Sequence, residues 1–278
     1  MIQLYKTKEN IFFKTNNKYY RYPELSWDEL INKDNLYQHL LDSIAEPLSQ
    51  NQVNEFKKNI DAPIQSQEVW ASGVTYLRSR NARMEESENA KTANDRVYEA
   101  ERPELFFKSA PHRVAGPGEV VYIRTDSTWN VPEPELTLFI NNKKEIAGYT
   151  IGNDMSSRSI EGENTLYLPQ AKTYERSAAL GPCLLITENP ISPETSIDLK
   201  IFREDKCVFH GQTRLNTMKR KLTDLKDYLM RALRFNHGCF LMTGTGIVPD
   251  SSFTLEEGDE CHITIDEIGT LVNVVKWI

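Results

Sequence analysis

The sequence predicts an α+β fold in which strands dominate. Short apolar runs rich in β-branched and aromatic residues recur from Glu68 to the end. Turn signals separate them, and that stretch holds one strong helical pattern. Many strands with few helices favour a layered β architecture over a doubly wound nucleotide-binding fold.

Residues 1–67 form a small N-terminal α+β unit, and residues 68–278 form the main domain. The first unit opens with three strand-like pieces, Ile2–Tyr5, Ile11–Lys14 and Tyr19–Arg21. Ser26 with Glu29 three residues later is a capping-box pattern, which opens a helical stretch carrying Leu30, Leu36, Leu40 and Leu41. The polar segment from Ser49 to Lys58 reads as a connection into Ala62-Pro63.

In the second unit, strands are expected at Val69–Val74, Leu105–Lys108, Val120–Ile123, Leu136–Ile140, Ile146–Asn153, Leu180–Ile186, Ile197–Phe202, Glu260–Ile265 and Leu271–Trp277. Gly116-Pro117-Gly118, Asn141 to Lys144 and Pro190 to Pro193 supply turns between them. Leu225, Leu229 and Leu233 recur at helical spacing, so a helix is expected from Thr223 to a C-cap near Gly238.

At 278 residues, 39% hydrophobic and 26% charged, the chain can bury a large core and is neither disordered nor collagen-like. Thirty-three basic against 40 acidic residues give a net charge of −7, which argues against a nucleic-acid partner. A local basic pocket for an anionic metabolite is still compatible with that charge. No run is long and apolar enough to span a membrane, and the start lacks the apolar stretch of a secretory leader. Four scattered cysteines without a Cys-x-x-Cys pair suit free thiols in a reducing cytoplasm.

Pro132-Glu133-Pro134-Glu135-Leu136 carries the most chemical information. Residues two apart on a strand share a face, so Glu133 and Glu135 would stand side by side there. Such a pair also suits a solvated loop end. Pro134 favours a strand entry or a bulge. The apolar strand Ile146–Asn153 runs on into Asp154, and a short turn at Asn141–Lys144 would place it beside the first strand. Three carboxylates with no adjacent Cys or His form a hard-oxygen site, suited to Mg²⁺, Mn²⁺ or Ca²⁺ rather than zinc. Lys108 ends an apolar strand, Lys172 precedes Gly181-Pro182, and Arg158 follows Asp154 by four residues. Thr243-Gly244-Thr245-Gly246 offers amides and hydroxyls to an oxyanion but lacks the lysine of a P-loop.

Glu133-Pro-Glu135, Gly148-Tyr-Thr-Ile-Gly-Asn-Asp154-Met-Ser-Ser-Arg158, Lys172, Leu180-Gly-Pro182 and Gly244-Thr245-Gly246 occur in the order of a known family. Over residues 68–278 the sequence resembles the fumarylacetoacetate hydrolase (FAH) superfamily. The resemblance implies an FAH-type mixed β-sandwich roll, usually a homodimer or higher homo-oligomer, acting on a small-molecule 2-keto acid. It implies Mg²⁺ or Mn²⁺ held by Glu133, Glu135 and Asp154, an active-site lysine at Lys172, and an oxyanion-binding loop at Gly244 and Thr245.

One departure bears on the reaction. Hydrolases of the family commonly carry Gly-x-Asn-Tyr-x-x-His-x-x-Glu, whose His and Glu activate water. Here Ser79 stands in place of the His and Ala82 in place of the Glu. The stretch Ser79-Arg80-Asn-Ala-Arg83 and the later Glu104-Leu-Phe-Phe-Lys108 look instead like the 2-keto-3-deoxy-D-arabinonate dehydratase branch. That resemblance implies elimination of water to give 2,5-dioxopentanoate, which needs no attacking water. Lys172 is then expected to move the proton, and Glu104 to serve the departing hydroxyl with Ser79 nearby. Arg78, Arg83 and Arg158 would bind the substrate carboxylate or brace loops, with Lys108, Gly244 and Thr245 lining the substrate site. The competing readings are C–C bond hydrolysis of an acylpyruvate or 2,4-diketo acid, tautomerase or decarboxylase chemistry, and a non-catalytic binding protein.

Overall fold

A computed structural model describes residues 1–24, 26–77 and 96–278. The expected contributors Arg78, Ser79 and Arg83 lie outside the described residues.

The chain begins with an antiparallel meander of β1 (Ile2–Lys6), β2 (Ile11–Thr15) and β3 (Lys18–Tyr22). Two short helices follow in place of one continuous stretch. In α1 (Trp27–Ile31) the Ser26 hydroxyl accepts from the Glu29 amide. Asn35, in the left-handed region at φ 45°, then caps α2 (Leu36–Asp42). The segment read as a polar connection is a helix, α3 (Gln50–Lys57). Ser49 and Gln52 cap it reciprocally, and Val53 and Phe56 are buried. Few apolar residues sufficed, because Phe56 stacks on Phe12 at 4.4 Å between ring centroids.

Next come β4 (Glu68–Gly73), β5 (Glu104–Ser109), β6 (Val114–Ala115), β7 (Val120–Ile123), β8 (Asn130–Val131), β9 (Pro134–Ile140), β10 (Ile146–Asp154) and β11 (Ser156–Ser157). Helices α4 (Arg158–Glu163) and α5 (Leu168–Lys172) lead to β12 (Ala178–Ile186), β13 (Ser196–Arg203) and β14 (Lys206–Arg214). Helix α6 (Leu222–Leu229), β15 (Cys239–Met242), β16 (Glu260–Ile265) and β17 (Gly269–Trp277) complete the chain. Every strand expected from Val69 onward is present. The helix expected from Thr223 to a C-cap near Gly238 stops at Leu229, where Lys144 Nζ donates to the Met230 carbonyl at 3.1 Å. Gly238 caps no helix. Its φ of +75° lets the chain pass against the Ile140 carbonyl, where a Cβ would lie 2.5 Å away, and so enter β15.

Ten strands form one sheet, ordered β3-β2-β1-β12-β10-β9-β15-β4-β5, with β6 beside β12. The N-terminal strands thus extend the same sheet through the β1–β12 pairing. A five-stranded sheet, β14-β13-β16-β17-β7, covers one face. Between them, Leu136, Leu138 and Ile151 pack with Ile197, Leu199 and Ile263. The opposite face carries Phe139, Leu184 and Phe240 and is covered by Trp27, Leu30 and Leu40 of the N-terminal helices. Period-two alternation puts Glu135 and Glu133 on this second face with Phe139, at the far end of β9. Among the described residues no helix is long and apolar enough to cross a membrane.

Gly152 lies opposite Glu135 across the β9–β10 ladder. A Cβ there would sit 2.3 Å from Thr137 Oγ1 and 3.1 Å from Met242 Cε. Gly152→Ala is expected to lower stability by about 1–3 kcal/mol through overpacking. Denaturant melts check this as a lowered midpoint at unchanged slope.

Candidate metal centre and active site

The acidic triad forms where β9 begins and β10 ends. Glu133 and Asp154 exchange backbone hydrogen bonds at 3.2 and 2.9 Å, and Glu135 faces Gly152 two pairs further on. All three side chains therefore leave the same face of adjacent strands. Their carboxylate oxygens lie within 4.8 Å of one another, and all three residues are buried. Like charges this close repel unless cations lie among them. The donor set is all oxygen and negatively charged, which fits a hard divalent cation.

Buried cations surround the triad. Lys172 Nζ, at the end of α5, lies 2.7 Å from Glu133 Oε2, 3.3 Å from Asp154 Oδ2 and 2.5 Å from Ser156 Oγ. Arg158 opens α4 and donates from Nη2 to Glu133 Oε1 at 2.6 Å. Lys108 Nζ reaches Asp154 Oδ1 at 2.6 Å. Glu135 instead accepts the Gly244 amide at 2.6 Å. Burial holds its carboxyl well above the usual glutamate range, and the Asp154 and Glu133 charges add to this, against the opposing pull of Lys172 and the Gly244 amide. Burial likewise pulls the Lys108 ammonium below its ordinary value, while Asp154 acts in the opposite direction.

The Gly244 loop is delivered by β15, a strand not expected from the sequence. It lies between β9 and β4. Thr243 donates from its amide and its hydroxyl to the Leu136 carbonyl, at 3.1 and 2.8 Å. Thr75 Oγ1 donates to the Thr243 carbonyl at 2.7 Å. Gly244 has φ +91°, and a Cβ there would lie 2.0 Å from Thr75 Oγ1. Val74, just before Thr75, has φ +54°, a strained value for a β-branched residue.

The structure therefore gathers Glu133, Glu135, Asp154, Lys172, Arg158, Lys108 and Gly244 into one site. Thr245 is buried beside them, but its hydroxyl donates to the Ile247 carbonyl at 3.1 Å. Glu104 starts β5, two residues before Phe106, whose ring centroid lies 5.8 Å from Lys172 Nζ. Strand alternation puts Glu104 on the same face as that ring. Ser156 and Thr75 had not been expected. Ser156 follows the aspartate by two residues, a spacing that could have flagged it.

The family model described as "Fumarylacetoacetate (FAA) hydrolase C-terminal" matches residues 69–276. The chain is 44% identical over 222 residues to a protein of Haloferax volcanii named "Probable 2-keto-3-deoxyxylonate dehydratase", covering 80% of this chain and 76% of that one. It is 42% identical over 245 residues to the "2-dehydro-3-deoxy-D-arabinonate dehydratase" of Saccharolobus solfataricus, covering 86% and 79%. It is also similar to a solved structure, "2-keto-3-deoxy-D-arabinonate dehydratase complexed with magnesium and 2,5-dioxopentanoate". That likeness has a TM-score of 0.85 at 33% identity and covers 100% of this chain and 99% of the other.

Because the fold holds the Glu135 proton more tightly than the unfolded chain does, metal-free stability is expected to fall as pH rises above the ordinary glutamate value. Glu135→Gln should remove that loss and weaken metal binding. Melting temperatures of both metal-free proteins between about pH 4 and 8 test the first effect. Calorimetric titration with MgCl₂ tests the second.

Proposed function

The chain belongs to the fumarylacetoacetate hydrolase family, and from that premise we propose that it is a Mg²⁺-dependent dehydratase. Its substrate is a 2-keto-3-deoxy sugar acid such as 2-keto-3-deoxy-D-arabinonate, and its product is 2,5-dioxopentanoate. The observation that carries this reading is one buried site holding Glu133, Glu135, Asp154 and Lys172, in a chain whose likeness runs to dehydratases.

Glu133, Glu135 and Asp154 would hold the cation, with Mn²⁺ or Ca²⁺ as substitutes. When bound it supplies Lewis acidity to the 2-keto group, acidifying the C3 hydrogens. Lys172 takes a proton from C3. It does so as the neutral amine; its backbone end is fixed by α5 and its amino end by Ser156. The C4–O bond then breaks, and Glu104 protonates the departing hydroxide, so that water leaves. Transfer of a proton from C5 back to C3 leaves the enol of the C5 aldehyde, which ketonises at C4. Arg158 holds Glu133 in place, and the arginines at 78 and 83 bind the substrate carboxylate; the Gly244 amide is turned to Glu135 and the Thr245 hydroxyl to the Ile247 carbonyl.

Hydrolysis would need a base for water, and Ser79 and Ala82 offer none. Four of the five histidines have partners elsewhere. His39 bonds Tyr22, His210 pairs with Asp198, His262 with Glu260, and His237 lies by Asp28. None of these partners belongs to the triad.

The proposed division into a unit of residues 1–67 and a catalytic unit of 68–278 is supported by where the family match begins. We also read the protein as a cytoplasmic homodimer or higher homo-oligomer in pentose catabolism. The four cysteines, all free thiols, support the reducing compartment.

Mg²⁺-loaded protein incubated with 2-keto-3-deoxy-D-arabinonate should form 2,5-dioxopentanoate, followed by NMR, and EDTA should stop it. An unchanged substrate spectrum would overturn this substrate assignment. Lys172→Met should cut turnover by about 10²–10⁴-fold, the usual contribution of a proton-transfer group, while Mg²⁺ binding persists. Normal turnover in that variant would remove Lys172 from the chemistry.

A further inference from the structure

We propose that Lys108 is a positioning residue, which sets Asp154 and Lys172 against each other and touches no substrate. The sequence alone suggested a substrate contact, since Lys108 ends an apolar strand. An ammonium has three protons to donate. Lys108 Nζ meets three acceptors: Asp154 Oδ1 at 2.6 Å, the Met155 carbonyl at 2.9 Å and the Lys172 carbonyl at 2.5 Å. Two of these are hydrogen bonds to carbonyls and the third is an ion pair, all within the protein, and the side chain is wholly buried.

Those acceptors lie on separate elements. Asp154 ends β10 and Met155 follows it, and the Lys172 carbonyl ends α5, where a cation also complements the helix terminus. Lys108 therefore fixes the acidic strand end relative to the helix that carries Lys172. It also assigns the two oxygens of Asp154. Oδ1 faces Lys108, while Oδ2 faces Lys172 Nζ, which also bonds Glu133.

The backbone is shaped for this role. Across β4 and β5, Val69 pairs with Ser109 but Trp70 with Phe107, so Lys108 is the extra residue of a β-bulge. A bulge re-aims the side chain it carries. The Tyr174 ring flanks the ammonium at 5.8 Å and Arg124 at 5.7 Å.

The inference rests on the reading of the triad as a metal centre. Lys108→Met keeps the stem and removes the donors. Its Mg²⁺ affinity, titrated calorimetrically with MgCl₂, is expected to fall by about 10–100-fold, the usual effect of losing a group that orients a metal ligand. At saturating Mg²⁺, kcat should fall by about ten-fold or more while KM for the keto acid moves less than about three-fold, since no ground-state contact is lost. Unchanged Mg²⁺ affinity with a raised KM overturns the proposal and restores a substrate contact. Failure of the wild-type protein to bind Mg²⁺ overturns the metal centre and this role together. Should the variant not fold, ¹⁵N NMR of the wild-type lysine ammonium groups decides. The Lys108 signal should shift on adding Mg²⁺ and stay in place on adding oxalate, a bidentate keto-acid mimic. A response to oxalate larger than that to Mg²⁺ overturns the role.

Discussion

Three buried carboxylates and three buried cations hold one another at the junction of β9, β10, α4 and α5, and much of the structure answers to that balance. Glu133 lies between Arg158 and Lys172, and Asp154 between Lys108 and Lys172. Moving each such charge out of water costs several kcal/mol, and removing one partner strands another. The cluster is tolerated because each ion has near partners and extra hydrogen bonds. Glu135 has the least compensation, with an amide rather than a cation at 2.6 Å, which explains why its proton is held so tightly. A site with that one under-compensated carboxylate is prepared for a further positive charge.

Placing six ionic groups within reach of one another requires backbone precision that regular strands alone do not supply. The antiparallel β9–β10 ladder puts Glu133 opposite Asp154 and glycine opposite Glu135. The β5 bulge turns Lys108 inward. A left-handed Gly244 lets the β15 loop approach Thr75 and present its amide to Glu135. The cores on the two faces of the large sheet are continuous apolar clusters, so these departures from regularity sit on a rigid support.

The acidic part of this site was legible because its rule is local. Residues two apart on a strand share a face, and a short turn makes successive strands neighbours. Glu133, Glu135 and Asp154 follow from those two statements. Lys172 and Arg158 were named too, though their partners could not be. The hydroxyl of Thr245 was expected toward a ligand and points instead to the Ile247 carbonyl. Ser156 was passed over because its only local signal is its spacing from Asp154, and its role shows only once Lys172 is placed against it.

The sequence by itself determined the strand-rich class, nine of the fourteen described strands of the main domain, the carboxylate triad and the hard-oxygen character of that site. It determined these because apolar alternation, turn residues and residue chemistry act over a few positions. Tertiary structure alone decided that α3 is a helix, that α6 stops at Leu229, well short of Gly238, that β15 enters between β9 and β4, and that the N-terminal strands join the main sheet. It also decided where Lys108 points. Each of these depends on a surface or an acceptor supplied from far along the chain, such as Phe12 for Phe56 or the Lys172 carbonyl for Lys108. Such partners are set by long-range register and packing, which no local pattern encodes.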